Sequence, residues 1–173
     1  MKNLSTRKMV LMALFIVLSL IGSNIRIFGT IALDSLPAFL AALLMGPGYG
    51  AAIGFMGHLF SAVGIGFPMS VPIHLAIATA MAITMLGFGQ THRMLQGKVA
   101  TMANLILTAI VGIVLNGPVS LAFTMGVLAL IAGTEAAMGL IMLLPVLTLG
   151  AVINVVLSIL LYKSLSIVWE KFK

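Results

Sequence analysis

The chain carries three acidic side chains, Asp34, Glu135 and Glu170, three histidines, His58, His74 and His92, and no cysteine. Without cysteine there are no disulfides, thiolate nucleophiles or thiolate metal ligands. Asp34 opens the stretch "DSLPAF", with Pro37 three residues on, which fits a helix N-cap. It fits equally an acid at the rim of a binding pocket, with Arg26 as its partner. His58 and His74 fall in strongly apolar surroundings. An ionisable side chain there is costly and turns toward the protein interior, where both rings can serve as hydrogen-bonding groups for structure or ligand. Two histidines without an HExxH or a third ligand at metal-like spacing do not make a metal site. Asn24 and Asn116 stand at the same level as Asp34 and His74, and Phe67 lies in the loop just before His74. Glu135 suits either solvent or a pocket wall. His92, beside Arg93, reads as loop surface, and Glu170 as a solvated tail. There is no GxxxxGK[ST] phosphate cradle and no spaced Ser/His/Asp set, so neither ATP chemistry, nor hydrolysis, nor a bound cofactor is expected. The residues suit binding, not catalysis.

The elements that must position these groups are apolar helices. The 173 residues are 62% hydrophobic and 7% charged, against about 25% charged in a soluble domain. The apolar runs are helix-length, whereas a membrane barrel shows alternating segments of ~10 residues. The expected fold is an all-α membrane protein, one integral domain over residues 1–173, with spans near 8–24, 33–46, 50–65, 71–89, 99–115 and 144–168. Polar or Gly/Pro clusters separate them: "SNIRIFGT", "GPGYG", "GIGFPMS", "QTHRMLQGK" and "NGP". Met9 to Ile21 reads as the first span and not as a cleaved signal. Six spans with a cytoplasmic N-terminus put Lys2, Arg7, Lys8, Arg93, Lys98, Lys163, Lys171 and Lys173 inside and Arg26 alone outside, as the positive-inside rule requires. A seventh span in 117–143 would reverse the last three lysines. That stretch, interrupted at Gly117-Pro118, Gly126 and "GTE", is therefore expected to be a long external loop with helical pieces. The net charge of +6 reflects this topology and does not imply nucleic acid.

Span two is short, about 21 Å for residues 33–46 against a hydrocarbon core of ~30 Å. Protein must roof its outer end. Loops 24–33, 64–70 and 116–143 would then cover a cavity that opens outward. Small residues four apart, at Gly50/Gly54, Gly57/Ser61 and Gly150/Asn154/Ser158, allow close helix approach in lipid.

The blocks "MVLMALFIVLSLIG", "IALDSLPAFLAALLMGPGYGAAIGFMGHLFSA", "GFPMSVPIHLAIATAMA" and "PVLTLGAVINVVLSILLYKSL" span essentially the whole chain. On these the chain resembles the substrate-binding S components of energy-coupling factor (ECF) vitamin transporters. The resemblance implies a six-helix bundle in a prokaryotic plasma membrane with both termini cytoplasmic. Its single external site takes a vitamin or precursor, with loops that close over the ligand. It also implies a transmembrane coupling protein and two cytoplasmic ATPases as partners, and inward delivery by toppling of the bundle. The site set is Asn24, Arg26, Asp34, His58, Phe67, His74, Asn116 and Glu135. The family's Ala-xxx-Ala face on helix one is missing, since Met9 and Val17 flank Ala13 at that spacing. A Met9/Ala13 edge, or Ser19 and Ser23, would have to dock the coupling protein instead. A low-charge cavity favours a neutral ligand with ring surface and hydroxyls over a multiply charged one. A cobalamin-pathway compound such as α-ribazole leads, with pantothenate, its carboxylate on Arg26, second. A stand-alone carrier or channel, and a ligand sensor that transports nothing, are the readings from other classes.

Overall fold

The computed structural model describes residues 6–27 and 31–171. Helix α1, Thr6–Asn24, leads into a two-residue ribbon in which β1, Arg26–Ile27, pairs antiparallel with β2, Ile31–Ala32, with Arg26 opposite Ala32. Helices α2, Leu36–Leu44, α3, Pro47–Gly64, and α4, Val71–Leu95, follow. Then come α5, Thr101–Val114, a π-helical turn at Leu115–Val119, α6, Ser120–Ala132, and the short α7, Thr134–Gly139. A 3₁₀ turn at Leu140–Leu143 runs into α8, Leu144–Glu170.

Four of these stretches are long and apolar enough to cross a membrane: Thr6–Asn24, Val71–Leu95, Thr101–Ala132 and Thr134–Glu170. Their outward faces are lined by large apolar side chains such as Leu14, Val17, Ile83, Ile106, Ile110 and Leu160, as lipid contact demands. Helices α2 and α3, expected as spans two and three, are not among the four. Nine residues of α2 reach only about 14 Å. Eight of those nine are buried, because α1, α3, α4 and α8 all pack on it. A helix wrapped by protein does not need to match the bilayer by itself. Its Ala38, Phe39, Ala41, Ala42 and Leu43 form the centre of the main core with Ile53, Met85, Phe88 and Val155. Phe39 and Phe88 meet edge to face at 4.8 Å.

The small residues do what lipid-embedded packing asks of them. A Cβ placed on Gly50 would lie 2.5 Å from the Ala42 Cβ and 2.8 Å from its Cα. One on Gly57 would lie 2.7 Å from the Ser19 Cβ. These glycines set how near α3 comes to α2 and α1.

Residues 116–143 are not the long loop expected from their Gly and Pro. The helix begun at Thr101 runs on to Ala132. Pro118 lacks an N–H and cannot continue α-helical bonding, and the chain absorbs this by widening into the π turn. Gly117 then lets the turn sit against α8, where an added Cβ would lie 3.2 Å from the Thr148 Cα. The chain reverses only at Gly133, at φ +89°. His92 is also not loop surface. It lies buried in the last turn of α4, with Nε2 3.3 Å from the Tyr162 hydroxyl. Its backbone carbonyl accepts from Asn104 Nδ2, and the Asn104 Oδ1 accepts from Thr108.

Candidate ligand-binding site

A cavity of about 290 Å³ lies between the start of α2, the middle of α3 and α4, the π turn with α6, and the first half of α8. Its body is apolar, with Ile77, Met81, Leu121, Leu143 and Leu147 among its walls. Its polar groups are Asp34, Ser35, His58, Asn116, Ser120, Thr124 and Asn154. Apolar walls with a few converging polar groups are the ordinary make-up of a small-molecule site.

The segment before α2 positions Asp34. Asn154 of α8, only 2% exposed, grips it from both sides. Its Oδ1 accepts the Leu36 N–H at 2.9 Å, and its Nδ2 donates to the Ala32 carbonyl at 2.9 Å and to its own helix at Gly150. The Leu33 N–H donates to the Gly22 carbonyl of α1 at 3.0 Å. Gly22 is required there, since an added Cβ would collide with the Leu33 carbonyl. Asp34 is thus carried on a strap tied to α1 and α8. It is not the helix cap that its position suggested: α2 begins after Ser35, whose side chain makes no capping bond. The Asp34 carboxylate faces His58 instead, Oδ2 to Nδ1 at 3.8 Å.

His58 continues a polar chain. Its Nε2 lies 3.1 Å from His74 Nδ1, and His74 Nε2 lies 2.7 Å from the Pro68 carbonyl. A carbonyl oxygen only accepts, so His74 Nε2 is the donor in that bond. The loop it holds is strained. Phe67, Met69 and Ser70 have φ of +50°, +76° and +139°, backbone that L residues rarely adopt and that persists where surrounding contacts enforce it. Phe67 packs edge-on to His74 at 5.7 Å, and Met69 reaches the cavity wall.

The expected site residues therefore divide. Asp34, His58 and Asn116 line one cavity. His74 and Phe67 stand behind it as supports. Asn24 does not reach it, because its exposed side chain donates back to the Leu20 carbonyl. Glu135 is exposed in the first turn of α7, away from the walls. Arg26 has its backbone in the ribbon opposite Ala32, a wall residue, while its side chain lies outside the described residues. Ser35, Ser120, Thr124 and Asn154 complete the polar lining and were not anticipated as ligand contacts. Asn154 stood out in the sequence through the Gly150/Asn154/Ser158 spacing, and the "NGP" break hid Ser120 and Thr124 by suggesting a loop.

Among the docking residues, Met9 and Ala13 are exposed on α1. Ser19 is corrected: it is 1% exposed and packed against Gly57, so it offers nothing to a partner. Ser23 is half-buried and donates to the Leu20 carbonyl. Among the described residues, no three His, Cys, Asp or Glu gather as a metal site.

A family model for the substrate-specific component of ECF transporters matches residues 7–165. The chain belongs to that family. The match runs from α1 to the last turns of α8, so it includes every wall of the cavity. No curated protein and no solved structure matches the chain. As an S component it is a multi-pass membrane protein whose family takes part in small-molecule import, and that family is not a class of enzymes.

Proposed function

We propose that this S component captures a vitamin or vitamin precursor from outside a prokaryotic cell and passes it inward with a coupling protein and two cytoplasmic ATPases. One observation carries the reading: a single cavity gathers Asp34, His58 and Asn116 beside an apolar body. The basic residues at the chain ends and near Arg93 support six crossings with both termini in the cytoplasm. The exposed Met9 and Ala13 edge of α1 is the surface offered to the coupling protein. Delivery by tilting of the whole bundle is the reading that goes with capture in this cavity.

The volume supports a small ring compound. It lies near the lower bound of ligand pockets, which favours α-ribazole over a corrin-sized body. Pantothenate is the second reading, favoured by Arg26 lying opposite a wall residue. The test is uptake into proteoliposomes holding this chain with its coupling protein and ATPases. ATP-dependent accumulation of one compound is expected. Uptake without ATP would favour a stand-alone carrier, and binding without uptake a sensor.

A further inference from the structure

We propose that the ligand enters with a hydrogen-bond donor group between Asp34 Oδ2 and His58 Nδ1, and that it bears no anionic group. This rests on the capture reading and deepens it to a substrate class: amino-, amidine- or hydroxyl-bearing ring compounds, neutral or cationic, not carboxylates.

The order of protons along the histidine pair leads there. His74 Nε2 donates to the Pro68 carbonyl at 2.7 Å. In the neutral ring, His74 Nδ1 then carries a lone pair and accepts from His58 Nε2 at 3.1 Å. Neutral His58 has spent its one proton on that bond, so its Nδ1 is an acceptor. That atom is buried and has no hydrogen-bond partner. Opposite it, at 3.8 Å, stands a carboxylate, which when ionised also only accepts. Two acceptors face each other at a separation too long for a hydrogen bond, and because Nδ1 is closed to solvent, a ligand donor that bridges them must part the two side chains as it enters. The empty-handed Nδ1 lacks what an amine, an amidine or a hydroxyl brings. Unmade hydrogen bonds of buried groups are costly, so a ligand that completes this pair is favoured over one that does not.

The rest of the cavity agrees. Asp34 and His58 are the only ionisable side chains among its described walls. A carboxylate ligand would meet Asp34 with no described cation beside it, and an unpaired buried anion is expensive. Serine, threonine and asparagine on α6, α8 and the π turn suit further neutral polar groups. The apolar walls suit a ring.

Two measurements test this. The first is the side-chain ¹⁵N spectrum of histidine-labelled, ligand-free protein at pH 7.5, with His92 removed by His92→Gln to simplify it. The expected result is that His58 and His74 are both neutral with Nε2 protonated. A protonated His58 Nδ1 would overturn the proposal, because the protein's own proton would already fill the gap. The second is thermal unfolding with thiamin and α-ribazole against pantothenate and biotin. A midpoint shift from a compound of the first pair, with affinity reduced roughly ten- to hundredfold in Asp34→Asn, is expected. A shift from a carboxylate that survives Asp34→Asn and is lost in Arg26→Gln would overturn the proposal and leave the capture reading standing. No shift from any compound would count against the capture reading, and the ¹⁵N result would then decide the proton order separately.

Discussion

His58 Nε2 and His74 Nδ1 lie 3.1 Å apart, and this contact ties the cavity wall to the strained loop between α3 and α4. One ring faces Asp34 and the other holds Pro68. Whatever touches Asp34 and His58 is therefore coupled, through two side chains, to the loop that brings Met69 to the site.

His74→Leu removes both bonds and leaves the Pro68 carbonyl and His58 Nε2 unpartnered. A buried group left unsatisfied costs about 1–3 kcal/mol. The unfolding midpoint should fall, and amide exchange at residues 66–70 should accelerate more than exchange in α2. Equal protection of that loop in both proteins would show that His74 does not hold it.

Asp34→Asn separates binding from capping. Asp34 makes no helix cap, so folding stability should change by less than about 1 kcal/mol. Ligand affinity should fall by roughly 1.5–3 kcal/mol, the range for a hydrogen bond to a charged group. Binding isotherms beside thermal unfolding check this. Lost stability with unchanged affinity would return Asp34 to a structural role.

Asn154 fixes where Asp34 stands without touching the ligand gap itself. Asn154→Leu removes both amide groups, strands the Leu36 N–H and the Ala32 carbonyl and adds bulk, with a predicted loss of roughly 2–4 kcal/mol. Asn154→Asp keeps the acceptor for Leu36 but sets a buried carboxylate oxygen against the Ala32 and Gly150 carbonyls, so it too should lower the midpoint. Denaturation midpoints of the three proteins test both, and a wild-type midpoint in Asn154→Leu would sink the clamp.

Two glycines two residues apart in the first turn of α3, Gly48 and Gly50, should behave oppositely. Gly50→Val drives a side chain into Ala42 and Ala38, and overpacking of this kind costs about 1–3 kcal/mol. Gly48 has nothing within 4 Å of an added Cβ, so Gly48→Ala should be neutral or stabilising by up to about 1 kcal/mol. Detergent melting curves distinguish them, and equal effects would remove the close-approach argument.

Much of this fold was legible in the chain. Apolar runs placed α1, α4, α5 and α8, because lipid requires long uninterrupted helices. The shortness of α2 pointed correctly to a helix shielded by protein. Gly117-Pro118 misled, since a missing N–H can be absorbed by a π turn when a neighbouring helix supports it. Neighbour positions in space also stayed hidden. Nothing in the order of residues reveals that His58 meets His74, or that Asn154 reaches across 118 positions to Leu36. Asp34 read as a cap because capping is a local pattern, whereas its partner belongs to another helix. His92 read as surface because its burial depends on Tyr162 and Asn104, far along the chain.

The central claim is that the cavity holding Asp34, His58 and Asn116 is where substrate binds. The most direct test is thermal unfolding of the purified protein and of Ser120→Phe, which fills that cavity, with α-ribazole, cobalamin, pantothenate, riboflavin and thiamin. A ligand confined to the folded state adds about 2.7 kcal/mol at a hundred times its dissociation constant. One compound should raise the wild-type midpoint and leave Ser120→Phe unmoved. A shift that persists in Ser120→Phe would place binding elsewhere and contradict the account.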